Sequence, residues 1–288
     1  MPSIIVLRRR IGSIRGTRQI TKAMELVSAS KLRRAQEYAA SSRDYRDLAV
    51  EMMRKLSSIN EVERLPLFLK RPTKHRLYVV ITSNTGLAGA YNANVLKLLT
   101  QGLIADREAK ITTSVITVGS KGAQYVRRLS QVNLMAVYQP FGDHPSAADV
   151  RPLLNTIIST FEDGKVDDVK VIYTEFKSTV SQHPIVLSLL PAPLIDGQSK
   201  PLVSNFEPDV ETVVEQTATR LIEAQIWQAI LESLASEHAM RMMSTKNATD
   251  NANDLINDYT LELNNARQAA ITQELAEIAG GAEALNNA

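Results

Sequence analysis

From residue 3 to residue 58 the chain has no proline, and its first apolar residues, Ile4, Leu7, Ile11 and Ile14, recur at steps of three and four. That is the period of one helix face. Tyr45, Leu48, Met52 and Leu56 take up the same step farther on, so the spacing predicts one long helix over 3–58. The segment ERLPLFLKRPTKH (63–75) ends it, because Pro66 and Pro72 lack the amide hydrogen that a helix interior needs.

Between 76 and about 190 the rhythm changes. RLYVVIT (76–82), TTSVITVG (112–119), VNLMAVY (132–138), DVKVIYTEF (168–176) and PIVLSLLP (184–191) are rich in β-branched and aromatic residues. The helical stretches NANVLKLLTQGL, SKGAQYVRRL and 147–163 separate the first four. Strands that alternate with helices predict an α/β domain with a mostly parallel five-stranded sheet. Gly86, Gly89, Gly119 and Gly122 follow strands, where they suit tight strand-to-helix turns.

Residues 192–208 are a connector rich in Pro, Gly and Asn, and 209–279 then hold neither proline nor glycine. Leu221, Ala224, Gln228, Leu231, Ala235, His238 and Met242 keep a three–four step, as do Ala252, Ile256, Tyr259, Leu263, Ala266 and Ala270. A periodic run this long without internal stops argues for a coiled coil. The expected plan is therefore a helix over 1–60, a linker over 61–75, an α/β domain over 76–191, a connector over 192–208 and a helix over 209–288.

Connectivity then sets geometry. The first helix enters the α/β domain by its C-terminal end and the last leaves it by its N-terminal end. Attached on one side, they must run antiparallel and can pair as a long coiled coil. At ~1.5 Å per residue they measure roughly 80 Å and 105 Å, so the last helix should overshoot by about two dozen residues. A lone helix end bearing Ile271, Leu275 and Ile278 is marginal in water and calls for walls from outside this chain. The seam is also poor in apolar residues. Arg18, Thr21, Glu25 and Ser28 stand where the stripe from Ile4 and Leu7 should continue, while the apolar side swings toward Ile20, Met24 and Val27. STKNATDNAN (244–253) is equally polar on the other arm.

Composition is that of an ordinary globular protein, 44% hydrophobic and 22% charged with a net charge of +2, but the charge is unevenly spread. Residues 1–55 carry 13 Lys/Arg against 5 Asp/Glu, and residues 207–288 carry 4 against 14. The basic arm should lie along the acidic arm. Exposed pairs contribute only ~0.2–0.5 kcal/mol each, so charge would set register and partner choice while the apolar seam supplies stability. No apolar run approaches the ~20 residues that span a bilayer, and MPSIIVLRRRIGS is too short in its apolar part for a secretory core. With no cysteine, disulfides, thiolate metal sites and thiol catalysis are excluded. A bacterial cytoplasm is the simplest home.

Little points to catalysis. Neither the G-x-x-x-x-G-K-[ST] nor the G-x-G-x-x-G phosphate-binding pattern is present. The four histidines, 75, 144, 183 and 238, lack metal-ligand spacing, and His238 on the helical stripe suits packing or partner contact. No catalytic, cofactor or metal residue is expected. The basic arm has no aromatic residue before Tyr38 and no recognised nucleic-acid module. It also lacks the clean apolar face of a membrane-surface helix. Two further readings stay open: a coiled-coil α/β scaffold that binds nucleic acid through its basic N-terminal arm, and an α/β enzyme with a helical oligomerisation hairpin.

Three stretches carry a family resemblance. NNARQAAITQELAEIAGGAEAL (264–285) resembles the signature of the gamma subunit of rotary F-type ATP synthases of the bacterial type. RRRIGSIRGTRQITKAMELVSASKLRRAQ (8–36) resembles that family's opening helix, and TSNTGLAGAYNANV (82–95) its first strand-turn-helix. The resemblance implies a Rossmann-like central domain and a non-catalytic rotor shaft. Such a shaft couples ion flow through a membrane ring of c subunits to conformational change in a hexamer of alpha and beta subunits. The epsilon subunit is a further implied partner; nucleic acid and direct membrane insertion are not, and the implied place is the cytoplasmic face of the bacterial plasma membrane, peripherally. By motif position, Lys22 and Met24 in QITKAM should meet the moving beta-subunit loops. Arg267, Gln268, Thr272 and Glu274 in RQAAITQE should form the facing C-terminal contacts. The family commonly has Asp-Arg where this chain has Asn84-Thr85, and Cys where Ala88 stands. The stretch of this chain before the last helix also lacks the Cys-bearing insert of chloroplast members, so no thiol switch is expected.

Overall fold

The computed structural model describes residues 3–56, 65–130, 132–139, 142, 146–193 and 209–286. Most of the connector expected at 192–208, the start of the linker at 61–75, and His144 lie outside the described residues. The elements run α1 (Ile4–Leu56), a 3₁₀ turn (Pro66–Phe68), β1 (His75–Ile81), α2 (Tyr91–Glu108), β2 (Thr112–Val118), α3 (Ser120–Val126), β3 (Asn133–Tyr138), α4 (Ala147–Glu162), β4 (Asp168–Phe176), β5 (Gln182–Leu190) and α5 (Val210–Asn286). α1 has 53 residues and α5 has 77; the latter runs through Gly280 and Gly281. The chain divides into two compact units, Ser28–Arg241, and Met1–Val27 together with Met242–Ala288.

The larger unit is built on one sheet, ordered β3-β2-β1-β4-β5. The first three pairings are parallel, with Val79 opposite both Ile116 and Val171. β5 pairs antiparallel with β4. The reason is the connection: only the tight turn Lys177–Ser181 joins them, too short for the crossover that parallel strands need. The sheet is therefore mostly parallel with one reversed edge.

Both faces are covered, which is why β1 reads as an unbroken apolar run from Leu77 to Ile81. Leu77, Val79 and Ile81 point to one side and join Phe161 and Ile157 of α4, Ala49 and Met53 of α1, and Leu221, Ile222 and Ile226 of α5. Tyr78 and Val80 point to the other and meet Val95 and Leu99 of α2 and Val126 of α3. A slip of one residue would exchange the two sets, so the pattern itself specifies the register.

Within this unit α1 buries Ser28, Leu32, Ala35, Ala39, Ser42, Ala49 and Met53, at steps of three, four and one of seven. Tyr45, Leu48 and Met52, expected on the inner stripe, are instead about half exposed. They lie one residue, about 100° of helix rotation, off the face that packs. That face is occupied by small residues: Ser42 hydrogen-bonds Gln228 of α5, and Ala35, Ala39 and Ala49 leave room for the neighbouring helix. Close approach of the backbones, rather than the largest side chains, sets the frame.

Candidate functional site

In the smaller unit the first part of α1 pairs with the last part of α5. Thr249 Oγ1 lies 2.8 Å from Thr21 Oγ1, and Arg18 Nη1 donates to Asn253 Oδ1 at 3.3 Å. The Arg10 guanidinium sits 5.8 Å from the centre of the Tyr259 ring. Partners rise in number along α5 as they fall along α1, so the helices are antiparallel. Leu7, Ile11, Thr245, Thr249 and Ala252 are buried at this contact. The inward stripe keeps a strict three–four step from Ile4 through Arg18, Thr21 and Glu25, although its residues turn polar. Ile20 and Val27 are 63% and 55% exposed, so hydrophobicity swings around the helix while the packing face does not.

The expected charge complementarity takes an indirect form. Among the described residues of this unit the ion pair is Lys22 with Glu25, 3.0 Å apart on the same helix. Between the helices the contacts are hydroxyl to hydroxyl, guanidinium to amide and guanidinium to ring. Opposite charge on the two arms acts over a longer range, where salt screens it.

Extending the register places Ile4 opposite about Ala266, so α5 from Arg267 onward passes the start of α1, close to the overshoot expected. Ile271, Leu275 and Ile278 on that segment are 49%, 62% and 70% exposed. Arg267, Gln268, Thr272 and Glu274 are exposed there too, the Thr272 hydroxyl bonding only the Gln268 carbonyl at 2.9 Å. Lys22 is exposed and Met24 half-buried. The two groups do not face one another. Lys22 stands opposite about Ala248, so some 19 residues of α5, roughly 28 Å, separate it from Arg267. They form two surfaces rather than one.

A third cluster has no signal in the sequence. On α5 of the larger unit, Arg241 is 7% exposed and its guanidinium is fully engaged. Nη2 donates to Glu237 Oε1 at 2.6 Å and to Thr85 Oγ1 at 3.0 Å, and Nε donates to the Gly86 carbonyl at 3.3 Å. Nη1 approaches His238 Nδ1 at 3.4 Å, which accounts for His238 on the buried stripe. Burial pushes the Glu237 carboxyl up from its ordinary value, and the charge and hydrogen bond of Arg241 oppose it. The partners are separated by 156 residues, beyond any local motif. Of the four glycines expected at turns, Gly89 and Gly119 hold φ of 54° and 101° there, whereas Gly122 falls inside α3.

Earlier on α5, Glu232 is 4% exposed and accepts from Gln228 Nε2 at 2.7 Å. Burial raises its pKa, against the hydrogen bond of Gln228 and the charges of Arg43 and Arg46. A carboxyl that holds its proton more tightly folded than unfolded favours the fold at low pH, and that advantage is lost as pH rises through the folded value. Glu232→Gln keeps an oxygen for Gln228 and removes the buried charge. It is expected to gain about 1 kcal/mol near pH 8 and almost nothing near pH 4. Thermal melts at both values check this; an equal gain at both would discount the titration.

Comparison with known proteins covers the whole chain. A family model described as ATP synthase matches residues 3–285. The ATP synthase gamma chain of Roseiflexus sp. (strain RS-1) is 40% identical over 288 residues, 99% of each chain. That of Pelotomaculum thermopropionicum is 39% identical over 287 residues, 99% of this chain and 100% of its own. Among solved structures, a rotor chain of the Euglena gracilis mitochondrial ATP synthase superposes with a TM-score of 0.67 at 19% identity, covering 93% of this chain and 98% of that one. A chain from the central stalk and c-ring of the Tetrahymena thermophila mitochondrial ATP synthase gives 0.62 at 23% identity, covering 80% and 99%. At these identities the structural likeness speaks for the fold.

Proposed function

The chain belongs to the ATP synthase gamma-chain family, the central stalk of the rotary enzyme, and from that premise we propose how its surfaces are used. It works as the shaft that turns within an alpha/beta hexamer, joined to a c-subunit ring and an epsilon subunit, at the cytoplasmic face of a bacterial membrane. Among the described residues no helix is long and apolar enough to cross that membrane. The chain carries no chemistry of its own; it couples ion flow to the hexamer's catalytic sites. In this plan the segments 1–60 and 209–288 make the shaft, and 76–191 make the foot.

The observation that carries this reading is the unpaired end of α5. A helix of about 20 residues with Ile271, Leu275 and Ile278 exposed loses its packing partner where α1 begins, which a surrounding sleeve would restore. Lys22 and Met24 form one proposed contact with the hexamer, and Arg267, Gln268, Thr272 and Glu274 a second nearer the tip. Polar, exposed contacts of this kind exchange with small barriers, as a turning surface requires. The basic arm is better used here than on nucleic acid, since two of its arginines, Arg18 and Arg10, engage Asn253 and Tyr259 of the companion helix.

Reconstitution tests the proposal. Purified alpha and beta subunits mixed with this chain are expected to give a complex with sustained ATP hydrolysis, and a chain ending before Arg267 should support markedly less. Hydrolysis equal with and without the chain would overturn the reading.

A further inference from the structure

In a sheet ordered β3-β2-β1-β4-β5 the strand order reverses between β1 and β4, and the crevice at their carboxyl ends is where open α/β folds take a ligand. Here α5 lies in that place. Ser236 Oγ donates to the Thr174 carbonyl on β4 at 3.2 Å, and the buried Tyr91 hydroxyl, at the start of α2, lies 2.6 Å from Ser233 Oγ. Arg241 completes the row by gripping the β1–α2 loop at Thr85 and Gly86. The next residue, Leu87, holds φ of 60° with its side chain 61% exposed, so burial does not repay its strained backbone. The loop is held in this shape by the bonds from Arg241 on one side and, on the other, by those of Ser83 with Asn92 and Thr85 and of Ser120 with Asn84.

We propose that α5 fills the crevice as a built-in ligand, and that Arg241 is the positioning residue that sets the rotational angle of α5 against the sheet. Torque then passes between the α/β domain and the helix without slip about the helix axis. Serine and tyrosine hydroxyls give the helix a place, but single hydroxyl contacts tolerate rotation. A planar guanidinium that bonds a side chain of its own helix and two groups of the loop at once does not. The inference rests on the shaft role proposed above.

Arg241→Lys separates the functions of the side chain. Lysine keeps the charge beside Glu237, so the buried carboxylate stays paired, but its compact ammonium cannot span Glu237, Thr85 and Gly86 together. The test uses the complete ATP synthase rebuilt with this chain in sealed vesicles, with ATP hydrolysis and ATP-driven ion uptake measured side by side. For Arg241→Lys, hydrolysis is expected to stay within about twofold of the parent while ion uptake per ATP falls roughly threefold or more. Thr85→Val should lower the ratio less, and Arg241→Lys with Thr85→Asp should restore most of it, because a carboxylate at 85 gives the ammonium a partner on the loop. An unchanged ratio in Arg241→Lys would overturn the inference, as would a fall in both rates in proportion without rescue, the mark of a merely weakened fold. A parent chain that fails to confer hydrolysis on alpha and beta subunits would overturn the shaft reading beneath it, a distinct result.

Discussion

Arg76→Met is expected to cost about 3–5 kcal/mol of stability, read from denaturant unfolding. Arg76, the second residue of β1, bonds two carboxylates, Asp106 from α2 and Asp168 from β4. Asp106 is 1% exposed, so methionine would leave its charge in a dry place with only the Tyr78 hydroxyl, 2.8 Å away, to solvate it. That hydroxyl remains a donor throughout the ordinary pH range, because burial and then the Asp106 hydrogen bond push its pKa up to about 12. The damage comes from the orphaned charge rather than from the lost pair, which is separable by experiment. Adding Asp106→Asn to Arg76→Met should recover part of the loss, since a neutral amide is far cheaper to bury. A single variant within about 1 kcal/mol of the parent would show that Asp106 finds another partner.

Gly119→Ala should be of the same size, about 3–5 kcal/mol, for a different reason. Gly119 joins β2 to α3 with φ of 101°, where L side chains are strained. A Cβ built there would stand 2.1 Å from the Thr82 carbonyl oxygen, a backbone atom. Neither side can yield: Thr82 N bonds the Val118 carbonyl at 2.8 Å, and Gly119 N bonds the Tyr138 carbonyl at 2.9 Å. Gly12→Ala is the contrasting case. Gly12 lies within α1 with nothing within 4 Å of its added Cβ, so alanine should stabilise by roughly 0.5–1 kcal/mol. Melting temperatures of the two variants should move in opposite directions.

These cases also show what a sequence discloses. A strand such as β1, apolar at every position from Leu77 to Ile81 and followed by a turn, is legible because both sheet faces are dry. The length of α1 and α5 is legible because nothing in them stops a helix. The packing face is less so. Tyr45, Leu48 and Met52 have helical spacing and the right chemistry for a core, yet Ser42, Ala49 and Met53 are inside. A periodicity count rewards large side chains, whereas two closely approaching helices select small ones. Of the candidate site residues, Lys22 and Arg267 were locatable along their helices, but their separation needed the register between helices. The grip of Arg241 on Thr85 was out of reach, since it joins residues that nothing local relates.

The hydroxyl-lined stretch of the paired helices, where Thr21 faces Thr249 and Thr249 bonds the Thr245 carbonyl of its own helix, has a thermal consequence. Heat capacity rises when apolar surface is wetted and falls when polar surface is. A seam of mixed threonine methyl and hydroxyl groups therefore opens with a small net change, unlike a leucine seam. Its hold should vary little between a cold and a warm cell, and the compliance of the two-helix segment should be nearly constant across the growth range.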